Sequence, residues 1–269
     1  MHEVAAIVED LVRLGVRSGD VLMVHASLRK IGPVSQRAAG VVAAIDRAVG
    51  DAGTWMMTMG ASDEWAWVND RAEAEREGLL ADAIPFDPFL TPAQEDVGVL
   101  AEVMRTTPGT FVSNHPEGRF GARGPRARDL LENVPWDHYY GEGSPLERIL
   151  KLGVKVLRLG ADIDTVTILH YAEYLAEVKS KRAVRRHRRV LWEAGPVTRT
   201  VDCLDDSRGI VEYDGPDYFG VILTAYCALE EGSRKKVTHG VVGNAPCDLL
   251  DGADLVAFGA TWMTRNLGR

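Results

Sequence analysis

Three short runs of apolar residues constrain the fold of this chain most strongly. They cover residues 21–24, 54–59 and 154–159, and stretches with the apolar spacing of helices lie between them. Runs without apolar/polar alternation are typical of strands buried on both faces. Strands that alternate with helices predict an α/β fold in which helices cover the faces of a central sheet. In such sheets, ligands bind beyond the carboxyl ends of the strands.

The rest of the chain gives weaker structural signals. Apolar periodicity predicts helices over about 3–14, 39–48, 96–105, 165–178, 217–230 and 247–265. A polar hairpin is predicted over 190–203 and a strand over 236–242. Ser144, Pro145 and Glu147 form a capping-box pattern that predicts a further helix, ending near residue 151. Asp164 is expected to cap the helix over 165–178.

Residues 60–95 do not fit the alternation of strands and helices. They contain Trp65, Trp67, many acidic residues and the prolines of Pro85-Phe86-Asp87-Pro88. Loops this long are usually functional or disordered, and the tryptophans favour order. We therefore expect an insertion or lid within a single domain that spans residues 1–269.

The charge distribution indicates the partners of the chain. Its 269 residues include 31 Lys and Arg against 39 Asp and Glu, a net charge of −8. Residues 179–189 concentrate basic side chains without an acid, so the remainder is more acidic still. An acidic body repels nucleic acid and attracts cations, although such a surface also serves solubility alone. The basic run is best interpreted as a solvated face, and a contact with nucleotide phosphates is the alternative.

Targeting and cysteine patterns favour the cytoplasm. No apolar run reaches the roughly 18 residues of a membrane-spanning helix, and the N-terminal apolar stretch contains acids that a secretory signal lacks. Cys203, Cys227 and Cys247 form an odd set without C-x-x-C spacing. Neither a disulfide framework nor a metal site is expected, and no membrane contact is expected. The sequence is compatible with a monomer or a homodimer.

The candidate catalytic pair is His170 and Glu173. The two residues are three apart on a predicted helix, so their side chains share a face. A carboxylate in that position can hold an imidazole in one tautomer and raise its basicity. A solvated surface pair is the alternative interpretation of the same spacing.

Motifs along nearly the whole chain resemble the aminoglycoside 3-N-acetyltransferase family. The resemblance rests on Val24-His25-Ala26-Ser27-Leu28-Arg29-Lys30-Ile31-Gly32, Gly53-Thr54, Pro85-Phe86-Asp87-Pro88, His115-Pro116-Glu117-Gly118-Arg119-Phe120, Ser144-Pro145, Asp164 to Glu173, and Val242-Gly243-Asn244-Ala245 with Asp254-Leu255-Val256-Ala257-Phe258. It implies acetyl-CoA as donor, an amino group of the deoxystreptamine ring of an aminoglycoside as acceptor, and antibiotic resistance. It also implies a mixed central sheet flanked by helices, a fold distinct from GCN5-type acetyltransferases.

The chain departs from the family pattern at four places. Ala26 stands where a second serine is usual, and Asp162-Ile163-Asp164 replaces Gly-His-Asp. Arg119-Phe120 replaces a serine after His-Pro, and Pro246 replaces the glutamate of Asn-Ala-Glu. These changes affect the substrate range and the coenzyme contacts that the resemblance implies.

The resemblance and the chemistry of amine acetylation together give candidate roles. His170 is the expected general base, oriented by Glu173 or by the more distant Glu212. Ser27 and Thr165 are candidate donors to the carbonyl oxygen. The expected coenzyme-binding residues are Ser27, Leu28, Arg29, Lys30, Ser113, His115, Arg119, Phe120 and Thr165. A polycationic acceptor needs carboxylates, and those expected to bind it are Asp63, Glu64, Asp82, Asp87, Asp214 and Asp217, together with Glu212.

The sequence disfavours several other functions, and experiments can distinguish the two that stay open. The Arg29–Val34 segment fails the GCN5 coenzyme motif, and Gly141-Glu142-Gly143 lacks the third glycine of a dinucleotide fingerprint. Cys227 in an apolar helix is a poor candidate for a nucleophile. Two alternatives to aminoglycoside acetylation stay open: a CoA-dependent acetyltransferase for another amine, and non-catalytic sequestration of a cationic antibiotic. The expected mechanism is direct transfer in a ternary complex without a metal.

Overall fold

A computed structural model describes residues 1–229 and 237–268 of the chain. Within these residues, seven strands form one sheet in the order β3-β4-β2-β1-β5-β9-β8. The strands are β1 (Val21–Ala26), β2 (Thr54–Thr58), β3 (Phe111–Val112), β4 (Phe120–Arg123), β5 (Lys155–Leu159), β8 (Val237–Val242) and β9 (Ala245–Asp251). The central strands β2, β1 and β5 are parallel, and β4, β9 and β8 pair antiparallel around them. The mixed central sheet expected from the resemblance is confirmed.

Helices cover both faces of this sheet. They are α1 (Val4–Leu14), α2 (Leu28–Ile31), α3 (Arg37–Val49), α4 (Glu73–Leu79), α5 (Val99–Thr106), α6 (Ala127–Leu131), α7 (Pro145–Lys151), α8 (Leu169–Leu175), α9 (Tyr218–Cys227) and α10 (Gly252–Leu267). Alternate residues of β1 enter opposite cores. Leu22 and Val24 pack with α1 and α3, whereas Met23 faces the core that includes α8, α9 and α10. This two-sided burial explains the unbroken apolar run of the strand.

Most of the predicted elements are present with small shifts. The capping box is confirmed, because Ser144 Oγ accepts a hydrogen bond from the Glu147 amide at 3.2 Å. The predicted helix over 165–178 is shorter and begins at Leu169, so Asp164 does not cap it. The predicted helix over 247–265 was wrong at its start, where Ala245–Asp251 forms β9. Residues 230 and 236, at predicted element ends, lie outside the described residues.

A two-stranded ribbon projects beside the central sheet. It consists of β6 (Ala183–Trp192) and β7 (Gly195–Leu204), which pair antiparallel over their full length. The hairpin is therefore longer than the predicted 190–203, and much of the basic run lies on β6. The interpretation of that run as a wholly solvated face was wrong, because His187 and Arg188 are buried.

The insertion of residues 60–95 is ordered against this ribbon. It contains a 3₁₀ helix (Ala66–Asp70) and α4. The Phe86 amide donates to the Arg189 carbonyl at 2.8 Å, and the Leu191 amide donates to the Phe86 carbonyl at 2.9 Å. These backbone bonds fix the insertion along one edge of the ribbon.

Arg119 holds the insertion from the sheet side. Its side chain is fully buried, and its terminal nitrogens donate to the carbonyls of Thr91 and Pro88, each at 2.8 Å, and to that of Pro92 at 3.2 Å. The guanidinium also lies 5.3 Å from the centre of the Phe86 ring. The terminal nitrogens of Arg119 thus have partners inside the protein, and the expected contact of Arg119 with a coenzyme phosphate stays a prediction.

No helix in the described part of the chain combines the length and apolarity that crossing a bilayer requires.

Replacing Arg119 by Met tests its role as an anchor. The change leaves several partly buried carbonyls without their donors, so we expect the free energy of unfolding to fall by about 2–4 kcal/mol, at roughly 1 kcal/mol per bond. Proteolytic cleavage within residues 60–95 should become faster. Arg29→Met, at an exposed arginine, is the control. Equal urea-denaturation and proteolysis results for the two variants would contradict this role.

Candidate active site

His170 lies on α8, just beyond the loop that leaves the carboxyl end of β5. Its Nδ1 is 2.8 Å from Oε2 of Glu173. The later start of the helix does not disturb this contact, because both residues are still within it and are one turn apart. The predicted pair therefore exists as a hydrogen-bonded pair, not as two separate surface residues.

The Glu173 carboxylate is buried and is held from its other side. Oε1 accepts a hydrogen bond from the hydroxyl of Tyr218, at the start of α9. The Tyr218 oxygen in turn accepts from the Ile210 amide at 3.2 Å. Both carboxylate oxygens thus have partners, which allows the charge to persist inside the protein.

Two aromatic rings fix the plane of the imidazole. Tyr140 stacks on His170 with the ring centres 4.9 Å apart and the planes 10° from parallel. Phe219 meets the imidazole edge-on at 4.8 Å. The His170 side chain is only 16% exposed, so the hydrogen bond to Glu173 is largely shielded from water.

The surroundings of His170 raise its pKa above the usual 6.5. Burial alone would lower the pKa, but the charge of the Glu173 carboxylate and its hydrogen bond raise it by more. Asp206 and Asp217 contribute in the same direction. A raised pKa makes the imidazole a stronger proton acceptor than a free histidine side chain.

The second carboxylate near His170 is Asp206. Its Oδ2 accepts a hydrogen bond from the Tyr139 hydroxyl at 2.6 Å, and its Oδ1 is paired with Arg186. Burial raises the pKa of Asp206, but Arg186 lowers it by more, so the carboxyl stays ionised. A cavity of about 200 Å³ opens here, and its lining includes His170, Glu173, Asp206, Tyr213, Asp217 and Phe219.

Four of the predicted coenzyme residues meet at the ends of two strands. β1 and β5 end side by side, and the Ser27 amide donates to the Leu159 carbonyl at 2.9 Å. Ser27 immediately precedes α2, and Lys30 on that helix forms a 2.7 Å ion pair with Asp162. Gly160 allows this approach, because its φ is +64° and a Cβ there would lie 2.9 Å from Lys30 Cβ. Leu28 and Arg29 share α2.

Thr165 lies in the neighbouring loop after β5. It is exposed, and its amide donates to the Asp162 carbonyl at 3.0 Å. The loops after β1 and β5 therefore place Thr165 and Ser27 at the same edge of the sheet, where α/β folds bind ligands.

Three further predicted coenzyme residues are buried. Ser113 Oγ accepts from the Phe120 amide at 2.9 Å, and the Phe120 side chain is in the core. His115 Nδ1 accepts from the Gly118 amide at 2.8 Å, and burial lowers the pKa of His115 to about 4. All three build the 113–120 loop from inside, and a direct coenzyme contact stays a prediction for them.

The acidic residues predicted to bind the acceptor do not lie together in one cavity. Asp63, Glu64 and Asp87 line a cavity of about 450 Å³ beside the insertion. Asp217 caps α9 by accepting from the Phe219 amide at 2.8 Å and also lines the cavity of His170. The exposed side chains of Asp82, Asp214 and Glu212 line neither of these two cavities. Glu173, not Glu212, is the carboxylate in contact with His170.

His25, at the end of β1, is buried, and desolvation together with nearby Arg158 lowers its pKa to about 3. It is therefore neutral at physiological pH. In residues 1–229 and 237–268, no group of three or more His, Cys, Asp or Glu side chains is arranged to hold a metal ion. The expected metal independence stays a prediction.

Comparison with known proteins places these features in a family. A family model described as aminoglycoside 3-N-acetyltransferase matches residues 23–264. The chain belongs to this family. An aminoglycoside N(3)-acetyltransferase III of Salmonella sp is 39% identical, over 100% of this chain and 93% of the relative. An aminoglycoside N(3)-acetyltransferase VIII of Streptomyces fradiae is 38% identical, over 97% and 92%.

Solved structures of the 3-N-acetyltransferase family share the fold. Aminoglycoside acetyltransferase AAC(3)-IIb superposes with a TM-score of 0.90 at 37% identity, covering 100% of this chain and 98% of that one. AAC-IIIb, solved as a binary complex with CoASH, has a TM-score of 0.90 at 34% identity, covering 99% and 97%. The predicted family and fold class are confirmed.

Sequence reasoning missed the residues that hold the pair in this family member. Tyr218 and Asp206 are far from His170 along the chain, and Tyr140 lies 30 positions before it. The only local signal was the Asp217-Tyr218-Phe219 run, in which an acid is followed by two aromatic residues. That this run contacts His170 and Glu173 follows only from the position of α9 beside α8, which the sequence alone does not predict.

Tyr218→Phe tests the support of Glu173. It removes the donor to Oε1 and leaves a buried carboxylate oxygen without a partner, so we expect the free energy of unfolding to fall by about 1–3 kcal/mol. Tyr226→Phe is a matched control on the same helix, where the hydroxyl donates to Asp254 Oδ2 at 3.0 Å. Asp254 is partly exposed, so water replaces the lost donor. Equal losses in urea denaturation would contradict this account.

Proposed function

We propose that this protein transfers the acetyl group of acetyl-CoA to the 3-amino group of the 2-deoxystreptamine ring of an aminoglycoside, and thereby confers antibiotic resistance. The observation that carries the proposal is the His170 imidazole, which is held by buried Glu173 beside an acidic cavity. The reaction named for the relatives supports the same reaction for this chain.

The proposed role of His170 follows from the protonation state of the acceptor. An amine near neutral pH is mostly ammonium and does not attack a thioester, so a base must remove a proton. Nδ1 is engaged by Glu173, which leaves Nε2 to take that proton. The imidazolium that forms is stabilised by the Glu173 charge.

The proposed transfer balances without a covalent protein intermediate. The ammonium first loses one proton to His170 Nε2, which releases it to solvent, and the free amine nitrogen then bonds to the thioester carbonyl carbon. As the C–S bond breaks, the second proton of that nitrogen passes through His170 Nε2 to the thiolate, so the products are the amide, the CoA thiol and one released proton. Direct transfer is favoured because the candidate thiols are poor nucleophiles. Burial raises the pKa of Cys203 to about 12 and that of Cys247 to about 11, so neither is ionised at neutral pH.

The donor is proposed to enter where β1 and β5 end. Exposed Arg29 and half-buried Lys30 carry positive charge at that edge, as coenzyme phosphates require. Ser27 and Thr165, on the two adjoining loops, are the proposed donors to the carbonyl oxygen as it gains charge. This arrangement leaves His170, on the helix that follows the β5 loop, to meet the thioester.

The acceptor is proposed to lie along the acidic cavities. Asp217 and Asp206 are beside His170, and Glu64 and Asp87 line the cavity of the insertion. Carboxylates at these two places suit a ligand that carries several ammonium groups. A structure of AAC-VIa bound to sisomicin shows that a family member of the same fold takes such a ligand.

The reaction is proposed to occur in the cytoplasm. Cys203 and Cys247 are buried thiols, as a reducing compartment allows. Acetyl-CoA and the aminoglycoside are the only partners that the proposal requires.

His170→Ala tests the proposal. We expect kcat to fall by about 10²- to 10⁴-fold, the usual contribution of a general base, while calorimetry shows aminoglycoside binding largely retained. His239→Ala is the control, because His239 Nδ1 is also 2.7 Å from a carboxylate, that of Asp248, but its side chain is 53% exposed.

The assay measures CoA thiol release with a panel of amines, which also tests the acceptor class. Activity only with amines other than aminoglycosides would overturn the proposed acceptor. Full protection of a host cell by the His170→Ala variant would instead show sequestration.

A further inference from the structure

A series of ion pairs connects the cavity of the insertion to the cavity of His170. Arg188 Nη1 lies 2.8 Å from Asp63 Oδ2 and 3.1 Å from Glu117 Oε1. Arg186 Nη1 lies 3.4 Å from Glu117 Oε2, and its Nη2 is paired with Asp206. This series of ion pairs therefore extends from Asp63, which is predicted to bind the acceptor, to Asp206, which lies beside the imidazole of His170.

The alternation of side chains along a β-strand explains why Arg186 and Arg188 lie on the same side of the ribbon. Residues 186 and 188 are two apart on β6, so both side chains leave the same face of the ribbon. Their side chains are only 16% and 9% exposed. Arg185 leaves the opposite face, where its side chain is 52% exposed and pairs with Asp202 at 2.8 Å.

The arginines change the charge that an acceptor meets. Asp63, Glu117 and Asp206 carry three negative charges, and Arg186 and Arg188 return two positive charges among them. Asp63 and Arg188 both line the cavity of the insertion. The net negative charge of this cavity is therefore much smaller than a count of its carboxylates alone indicates.

Glu117 Oε1, at the centre of this series of ion pairs, is paired with Arg188 by charge but receives no directed hydrogen bond from the described residues. This oxygen is buried. A buried carboxylate oxygen without a directed donor is costly. An ammonium group, with three donors that can turn freely, is the type of ligand that would satisfy it.

We propose that Arg188 is a specificity-determining residue that occupies, as a fixed internal cation, the space between Asp63 and Glu117 that an acceptor ammonium would otherwise take. The inference rests on the proposed function, because it concerns the same acceptor. Arg188 limits how many ammonium groups of the acceptor find a carboxylate partner, and thereby favours acceptors with fewer amino groups at this end.

Removing the positive charge at position 188 should change the affinity for polycationic ligands in a predictable direction. A neutral side chain adds one net negative charge to the cavity and frees two carboxylates, so polycationic ligands should bind more tightly. The gain should shrink with salt, because part of it is electrostatic attraction across water. A purely structural role for Arg188 predicts the opposite, a distorted cavity and weaker binding.

The test compares Arg188→Gln with wild type by calorimetric titration of two aminoglycosides that differ by one amino group. We expect Arg188→Gln to tighten binding of the more highly aminated ligand by about 3- to 10-fold, or roughly 0.7–1.4 kcal/mol. The gain should be smaller for the other ligand and at high salt. Arg185→Gln, on the exposed face, and the charge-retaining Arg188→Lys should bind as wild type does.

Thermal melting separates specificity from folding. We expect Arg188→Gln to melt below wild type without ligand and to gain more in Tm from the aminoglycoside, since a ligand that binds the folded state more tightly stabilises it more. Arg188→Met, which keeps the aliphatic stem, is the second neutral variant if Gln does not fold.

Unchanged or weaker binding in the neutral variants overturns the inference about Arg188. Failure of the wild type to bind or acetylate any aminoglycoside overturns the proposed function instead, so the two failures are distinguishable.

Discussion

The hydrogen bond between His170 and Glu173 is the interaction on which the site depends. A carboxylate buried as deeply as that of Glu173 is stable only if its charge is compensated and its oxygens have donors. The imidazole satisfies one oxygen and the Tyr218 hydroxyl the other. The same bond sets the tautomer of His170 and raises its pKa, so the group that stabilises the charge is also the group that we propose as the base.

The sheet brings the parts of the site together at one edge. The parallel strands β1 and β5 end side by side, and the loops after them carry the proposed donor site and the helix of His170. The ribbon and the insertion together enclose a second cavity, which Asp63, Glu64 and Asp87 line. Arg119 and the Phe86 backbone bonds fix that enclosure from the interior. Donor and acceptor are thus proposed to approach the imidazole from different structural elements.

Local patterns predicted the fold and the contact between His170 and Glu173 because their causes are local. The His170–Glu173 contact needs only helical spacing, and it survived an error in where the helix begins. The start of α10 was predicted wrongly because the apolar residues of β9 run into it. Asp251, which accepts from the Asp254 amide at 3.0 Å, marks the true helix start.

Long-range contacts limited the prediction of site residues. A run of arginines has the same sequence pattern on a solvated face and on a ribbon packed against acids. Arg188 is buried because Glu117 and Asp63, at least 71 positions away, come to lie beside it. Arg119 likewise donates to the carbonyls of Thr91 and Pro88 in the insertion, about 30 positions before it, which its sequence motif does not indicate. Such roles depend on tertiary packing, which spacing along the chain does not encode.

The most direct test of the catalytic account is an NMR titration of the His170 imidazole in the wild type and in Glu173→Gln. The account predicts a midpoint above 6.5 in the wild type and a lower midpoint once the carboxylate charge is removed. A wild-type midpoint at or below 6.5, or one that the substitution leaves unchanged, would contradict it.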